Sequence, residues 1–506
     1  MLGLSAAMQV KTTRRFILAG LGSWAVAGAA HAGAPTTSLR PQMRQPGARA
    51  RLVSRPESML SQARMSGEVA WSVADVKTGL RLEAVHGELA LPPASVAKTL
   101  TTLYALETLG TDFRFRTRVY AAGPVKGGIL DGDLILAGDG DPTLDTDALA
   151  ELAGQLKAAG LREVRGDFLV YDGALPYVRT IDAGQPDHLG YSPAVCGIAL
   201  NYNRVHFEWK RASSGYAVSM DARTEKYRPE VQTAHMRVVD RKTPVYTYAS
   251  SGGADSWTVA AQALGNGGSR WLPVRRPADY AGDVFRTLAR SNGVVLKQAK
   301  TLGRLPGGAV ALAEHASPRL WVILQGMLKH SNNLTAEMVG MTASAARRGG
   351  PPTSLRASAT QMSRWAARRF DMKHVEMVDH SGLGEDSRMT ADDLVTALVE
   401  ARRQGVLQTL LKEIPVRDER GRVLRDTPIQ VNAKTGTLNF VSGLGGFMTA
   451  ADGTELAFAI FAADTSARAK ISRAEREVPP GARGWNGQAK AFQQKLIAHW
   501  GKAYGS

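Results

Sequence analysis

Pro93-Ala94-Ser95-Val96-Ala97-Lys98 is the stretch on which the reading of this chain turns. It holds the only Ser-x-x-Lys in the sequence, placed just after Pro92-Pro93 and leading into a predicted helix with Leu100, Leu103, Tyr104 and Leu109 on its apolar face. At i and i+3 on a helix, Ser95 and Lys98 share one side, so the amine comes within reach of the hydroxyl. A lysine at its reference pKa of about 10.4 is protonated at neutral pH. General-base work therefore requires burial or a nearby cation such as Lys434 to depress it. A first-turn serine also lies beside unpaired backbone N–H groups and the positive end of the helix. Taken alone, the pair equally suits a solvated helix lysine beside an N-cap-like serine.

Working outward, Ser331-Asn332-Asn333 contains the only Ser-x-Asn, and Lys434-Thr435-Gly436 follows it. Ser331 lies between the apolar run Leu320-Trp321-Val322-Ile323-Leu324 and a helical stretch, where a hydroxyl can project into a cleft. Ser or Asn just before Leu334-Thr335-Ala336-Glu337 also fits an N-cap. Lys434 leads a strand-like segment as a fixed cation and Thr435 adds a hydroxyl, a pair suited to a carboxylate. Gly436 permits close backbone approach. Read alone, this segment is an ordinary hairpin strand with an exposed lysine. In this order the three triplets compose an acyl-transfer site. The same letters in Lys77-Thr78-Gly79 lie ahead of Ser95, between the alternating runs Val69–Val73 and Leu80–Val85, where a hairpin turn is expected.

The signature resembles that of the active-site serine β-lactamases and penicillin-binding proteins. Ser331 and Lys434 are 103 residues apart, whereas 236 separate Ser95 from Ser331, which marks a large insertion. That insertion, the segment Leu136-Ala137-Gly138-Asp139-Gly140-Asp141-Pro142-Thr143-Leu144 and the run Ala199-Leu200-Asn201-Tyr202-Asn203 resemble the D-alanyl-D-alanine carboxypeptidase/endopeptidase family, the class C low-molecular-mass penicillin-binding proteins. The resemblance implies Ser95 as nucleophile and Lys98 as general base. Ser331 would relay a proton to the leaving amine, and Asn333 would hold the substrate amide and help fix Lys98. Lys434, Thr435 and Gly436 would form the substrate strand, and the N–H of Thr437 would pair with that of Ser95 as an oxyanion hole. The implied substrates are peptidoglycan stem peptides ending in D-Ala-D-Ala, with β-lactams as covalent inhibitors and no cofactor or metal. Asp379-His380-Ser381-Gly382-Leu383-Gly384 resembles a family loop bordering the site, but His380 and Gly384 depart from its usual Gly and Ser. A Ser–Lys pair leaves no vacancy for a histidine base.

Two rival readings stand beside this one. A β-lactamase needs a base for the deacylating water, and Glu337, Glu376 and Glu385 fall in the right interval without a recognised context. A non-catalytic penicillin-binding or wall-binding protein would keep the pocket without turnover. Asp139 and Asp141 read as turn formers rather than a carboxylate pair.

Lys11, Arg14 and Arg15, the apolar stretch from Phe16 to Ala29 and the small-x-small site Ala30-His31-Ala32 read as a signal peptide over 1–32. The run Thr12-Thr13-Arg14-Arg15-Phe16-Ile17-Leu18 is close to a twin-arginine signal, with a general secretory signal as the alternative. The stretch is too short and too rich in Gly and Ala for a stable membrane span, and a soluble periplasmic protein is expected. Net charge is +17, and +14 after removal of the leader. This favours polyanions, and with an export signal the cell wall is the natural one. Basic charge alone does not separate the wall from nucleic acid or lipid headgroups; nucleotide and zinc readings find no motif to support them, and no nucleic-acid partner is expected. The lone Cys196 excludes an internal disulfide and reads as a small buried residue. Nothing in the sequence speaks to oligomeric state.

The expected fold is α/β: a β-lactamase/transpeptidase-like antiparallel sheet flanked by helices, with a helical subdomain and a large, mainly β insert. The expected domain limits are 1–32 for the signal peptide, 33–117 for the first part of the transpeptidase-like domain, 118–299 for the insert, with nested mainly β domains as one arrangement of it, and 300–506 for the second part. An irregular lead-in is expected from Gly33 to about Ser61.

Overall fold

The computed structural model describes residues 56–63, 65–418 and 420–505. The signal-peptide reading and most of the lead-in lie outside the described residues. The end of the lead-in is a short helix, Pro56–Ala63. Its Met59, Leu60 and Ala63 pack on the core, and that contact overrides the polar composition around it.

One six-stranded antiparallel sheet gathers both ends of the described chain, in the order Lys412–Glu413, Gln430–Leu438, Val441–Thr449, Glu455–Ala463, Glu68–Asp75 and Arg81–Val85. Val441–Thr449 and Glu455–Ala463 are buried almost throughout, because both faces of the sheet are covered. On one face lies the helix Ala482–Ala503, which brings Trp485, Phe492, Leu496 and Trp500 onto the sheet. On the other lie Ala97–Leu109 and Ala391–Gln404, within a core shared with Leu320–His330, Asn333–Arg348 and Leu355–Phe370. Those last three helices and Ala391–Gln404 form the helical subdomain. Lys77-Thr78-Gly79 is the expected turn: the Asp75 carboxylate accepts from the Thr78 N–H and hydroxyl, and Gly79 takes φ +74°.

The long middle segment builds its own core. A five-stranded sheet runs in the order Lys300–Leu302, Phe168–Tyr171, Asp133–Ala137, Arg116–Ala122 and Val310–Ala316. The helices Thr146–Ala158 and Pro277–Ser291 share its apolar cluster, and three small three-stranded sheets complete the segment. Val310–Ala316 pairs with Arg116–Ala122, so hydrogen-bonded pairing ties residues on either side of 118 and of 299 to this sheet. The helix Pro277–Ser291 is an addition to the mainly β expectation. It starts with Pro at its first position and buries Tyr280, Ala281, Val284, Phe285, Leu288 and Ala289, an i, i+4 pattern legible in the sequence. Among the described residues, no helix is long and apolar enough to cross a membrane.

Candidate active site

The Ser95 segment starts under constraint. After Pro92-Pro93, Ala94 takes φ +46°, a left-handed conformation that costs a non-glycine residue roughly 1–2 kcal/mol. Ala94–Val96 form a 3₁₀ turn and the α-helix begins only at Ala97. Ser95 therefore sits one turn ahead of the α-helix, and Lys98 occupies the helix's first turn. Because residues at i and i+3 eclipse in a 3₁₀ turn, the two side chains still meet. Two glycines brace this segment. A Cβ on Gly436 would stand 2.8 Å from the Pro93 carbonyl oxygen and 3.1 Å from the Ser95 nitrogen. One on Gly382, at φ +75°, would collide with the Ala94 carbonyl.

Lys98 is fully buried. Its Nζ donates to Ser95 Oγ at 2.9 Å, Asn333 Oδ1 at 2.8 Å and the Ser381 carbonyl at 2.8 Å, which uses all three ammonium protons. In the neutral amine two donors and a lone pair remain, so the Ser95 contact is the one that can reverse. Burial lowers its pKa to about 8, against the opposing pull of Glu337 and Asp379. The cause is desolvation in the core rather than the proximity of Lys434.

Ser331 is the C-cap of Leu320–His330 and takes φ +58°. Asn332 then caps the next helix, its Oδ1 accepting the Thr335 N–H at 3.0 Å. The capping role thus falls to Asn332, and the flanking Ser331 and Asn333 face the lysines. Lys434, 2% exposed, donates to Ser331 Oγ at 3.0 Å and the Thr435 carbonyl at 2.6 Å. Burial, then Lys98 and Lys412, bring it down to about 7. Thr435 and Thr437 alternate with the buried Lys434 and Gly436 along the strand and are exposed. The arrangement joins each of two hydroxyls, those of Ser95 and Ser331, to a buried lysine whose pKa is lowered. It can deprotonate an alcohol, hold an acyl group and pass a proton onward.

Three contributors escaped the sequence reading. Two are backbone carbonyls: Ser381, which anchors Lys98, and Tyr191 of the insert, which accepts Asn333 Nδ2 at 2.9 Å. A carbonyl leaves no letter in a sequence. The third is the pairing of two buried acids, Glu337 and Asp379, which the sequence offered only as a rival base and as part of the border loop. Glu337 lies four residues after Asn333 on the same helix face, and that spacing was the available signal.

The remaining candidates have structural partners. His380 is buried with Nε2 2.8 Å from Ser358 Oγ, and its pKa falls to about 3 through burial. The unexpected residue in the border loop is thus a neutral core histidine. Both Glu337 oxygens accept backbone N–H groups. Glu376 pairs its backbone with Arg388, and Glu385 meets Arg476 and Arg468. Asp139 accepts the Arg116 N–H, and Asp141 accepts both donors of Thr143 in a turn. Cys196 is buried and donates to the Ile198 carbonyl. Among the described residues no three His, Cys, Asp or Glu side chains gather as a metal site.

Residues 53–478 match the model of the D-Ala-D-Ala carboxypeptidase 3 (S13) family. The chain is similar to a D-alanyl-D-alanine carboxypeptidase from Actinomadura sp. (strain R39), at 29% identity over 436 residues, 80% of this chain and 79% of the relative. It is also similar to the D-alanyl-D-alanine carboxypeptidase DacB of Haemophilus influenzae, at 23% identity over 399 residues, 74% of this chain and 81% of the relative. The crystal structure of penicillin-binding protein 4 from H. influenzae shares the fold, with a TM-score of 0.70 at 19% identity, covering 88% of this chain and all of that one. A second crystal structure of that protein, complexed with a novel β-lactam, gives a TM-score of 0.66 at 20% identity, with 88% and 99% of the two chains covered.

Proposed function

This chain belongs to the D-Ala-D-Ala carboxypeptidase 3 (S13) family and is a serine-type D-Ala-D-Ala carboxypeptidase, and on that premise we propose that it releases the terminal D-alanine of peptidoglycan stem peptides through an acyl-enzyme at Ser95. One observation carries the assignment of residues. Side chains 3, 235 and 103 positions apart meet as Lys98–Ser95, Lys98–Asn333 and Lys434–Ser331 hydrogen bonds.

In the proposed reaction, neutral Lys98 takes the Ser95 proton as Oγ bonds to the carbonyl carbon of the penultimate D-alanine. The N–H groups of Ser95 and Thr437 receive the oxyanion, a contribution of roughly 3 kcal/mol per donor. Lys98 returns the proton through Ser331 to the leaving nitrogen, and the C–N bond breaks. Asn333 holds the substrate amide, while Lys434 and Thr435 hold the terminal carboxylate. Water then attacks the ester carbonyl, its proton passing by way of Lys98 to the departing Ser95 Oγ, and the shortened peptide leaves as its carboxylic acid. A β-lactam presents an amide whose leaving nitrogen stays tethered after ring opening, so the acyl-enzyme persists. Cleavage of cross-bridges by the same route, export by the N-terminal leader and residence in the periplasm belong to the same proposal. The division at 33–117, 118–299 and 300–506 is proposed with it, the sheet of the insert also taking in Arg116–Ala122, Lys300–Leu302 and Val310–Ala316.

The β-lactamase alternative loses support from the engagement of Glu337 and Glu385 in other bonds. The test is digestion of purified muropeptides, read by mass spectrometry, together with peptide mapping of a penicillin adduct. D-alanine release and an adduct on Ser95 are expected, and Ser95→Ala should lose both. An adduct that forms at the wild-type rate in Ser95→Ala sinks the nucleophile assignment. A Ser95 adduct without any D-alanine release would favour the non-catalytic reading.

A further inference from the structure

Behind Lys98 the core encloses two carboxyl groups that the reaction does not use. Glu337 is 0% exposed and Asp379 1% exposed. Glu337 Oε2 accepts the His380 N–H at 2.8 Å and Oε1 accepts the Ser381 N–H at 3.0 Å. The next link is the Ser381 carbonyl, which takes one of the three Lys98 hydrogen bonds. The same helix thus touches the base twice. Asn333 reaches it directly, and Glu337, one turn later, reaches it through the backbone of the border loop. Asp379 closes that loop on itself by accepting the N–H groups of Gly382 and Gly384.

Burying an acid in a core costs several kcal/mol unless a charge or hydrogen bonds compensate it. Burial, then the neighbouring Asp379, push the Glu337 carboxyl up to about 8, while the two N–H donors on its oxygens and the Lys98 amine pull the other way. We propose that Glu337 is a positioning residue for the general base, holding the 380–381 turn whose carbonyl anchors Lys98 and offering the ammonium a carboxylate partner when it ionises. This rests on Lys98 acting as base for Ser95. The groups facing Lys98 are Glu337 on its helix, Asp379 on the border loop and Lys434 on the strand. Those facing Glu337 are Lys98 and Asp379, beside the neutral His380. Asp182 of the insert in turn acts on Asp379.

The charge has a sign that can be read. Acylation needs neutral Lys98, so its rate rises with pH through the pKa of the amine, about 8. Removing a facing negative charge destabilises the ammonium, and the acid limb moves to lower pH. Glu337→Gln keeps the shape but offers one acceptor where two N–H groups need one each. Its acid limb should fall by about one pH unit, with the plateau lowered about tenfold by the slackened turn. Glu337→Asp keeps the charge but shortens the reach, so its plateau should drop similarly with the midpoint unmoved.

The experiment measures the rate of acylation by a fluorescent penicillin against pH for the full chain and both variants. Peptide mapping confirms that the adduct lies on Ser95. A downward midpoint shift in Glu337→Gln alone supports the inference, and equal losses at an unmoved midpoint in both variants overturn it. If Glu337→Gln fails to fold, Glu337→Asp decides: a wild-type plateau overturns the positioning role, and a tenfold loss at an unchanged midpoint supports it. A wild-type adduct away from Ser95 would instead sink the parent mechanism, so the two failures are distinguishable.

Discussion

Lys-Thr-Gly occurs at 77–79 and again at 434–436, and the two copies of one tripeptide have opposite fates. In the first, all three residues are exposed, Thr78 is held by the Asp75 carboxylate and Gly79 is required because φ is +74°. In the second, Lys434 is buried against Ser331, Thr435 faces outward and Gly436 sits in a strand, where it is required for a different reason. The Ser95 turn approaches too closely there for a Cβ. One glycine supplies a backbone angle and the other supplies space. Identical letters acquire chemistry only when a neighbour from far along the chain desolvates the lysine and crowds the glycine.

Substitutions at matched positions put this contrast to the test. Lys434→Ala should have the largest effect, lowering kcat/KM for a peptide with a free terminal carboxylate about a hundredfold, and much less for its amide. Equal losses on both substrates would remove the carboxylate role. Gly436→Ala should slow acylation by penicillin about tenfold through displacement of the Ser95 turn. An unchanged rate would show that the strand can retreat without cost. Gly79→Ala should leave kinetics untouched and lower stability to urea by about 1 kcal/mol, the cost of a left-handed alanine. Any loss of acylation in that variant would erase the distinction between the copies.

The parts of the site legible in the sequence are those in which a side chain both carries the chemistry and keeps a short spacing. Ser95 and Lys98 could be paired by helix geometry alone, and Asn333 and Ser331 follow from one triplet. The Asp75 turn was also open to reading, because a hairpin signal is local. The 3₁₀ start of the Ser95 segment was less accessible, since the left-handed Ala94 depends on packing beneath Gly382 and Gly436. The Tyr191 carbonyl could not have been identified in advance, because any residue placed there would present the same oxygen. Helix Pro277–Ser291 is a different case: its Pro start and apolar stripe were present, and the β-rich surroundings obscured them.

His380 separates the two levels most sharply. By residue type it could serve as a base, and by burial it is a neutral partner of Ser358 in the core. By itself the amino-acid order determined which groups could react and in what sequence along the chain, since residue type decides which atoms can attack, accept or donate. Tertiary structure alone decided how readily Lys98 and Lys434 give up their protons, which carbonyls hold them and where the insert reaches the site. Desolvation and hydrogen bonding depend on what surrounds an atom in space, and here those surroundings come from residues hundreds of positions away.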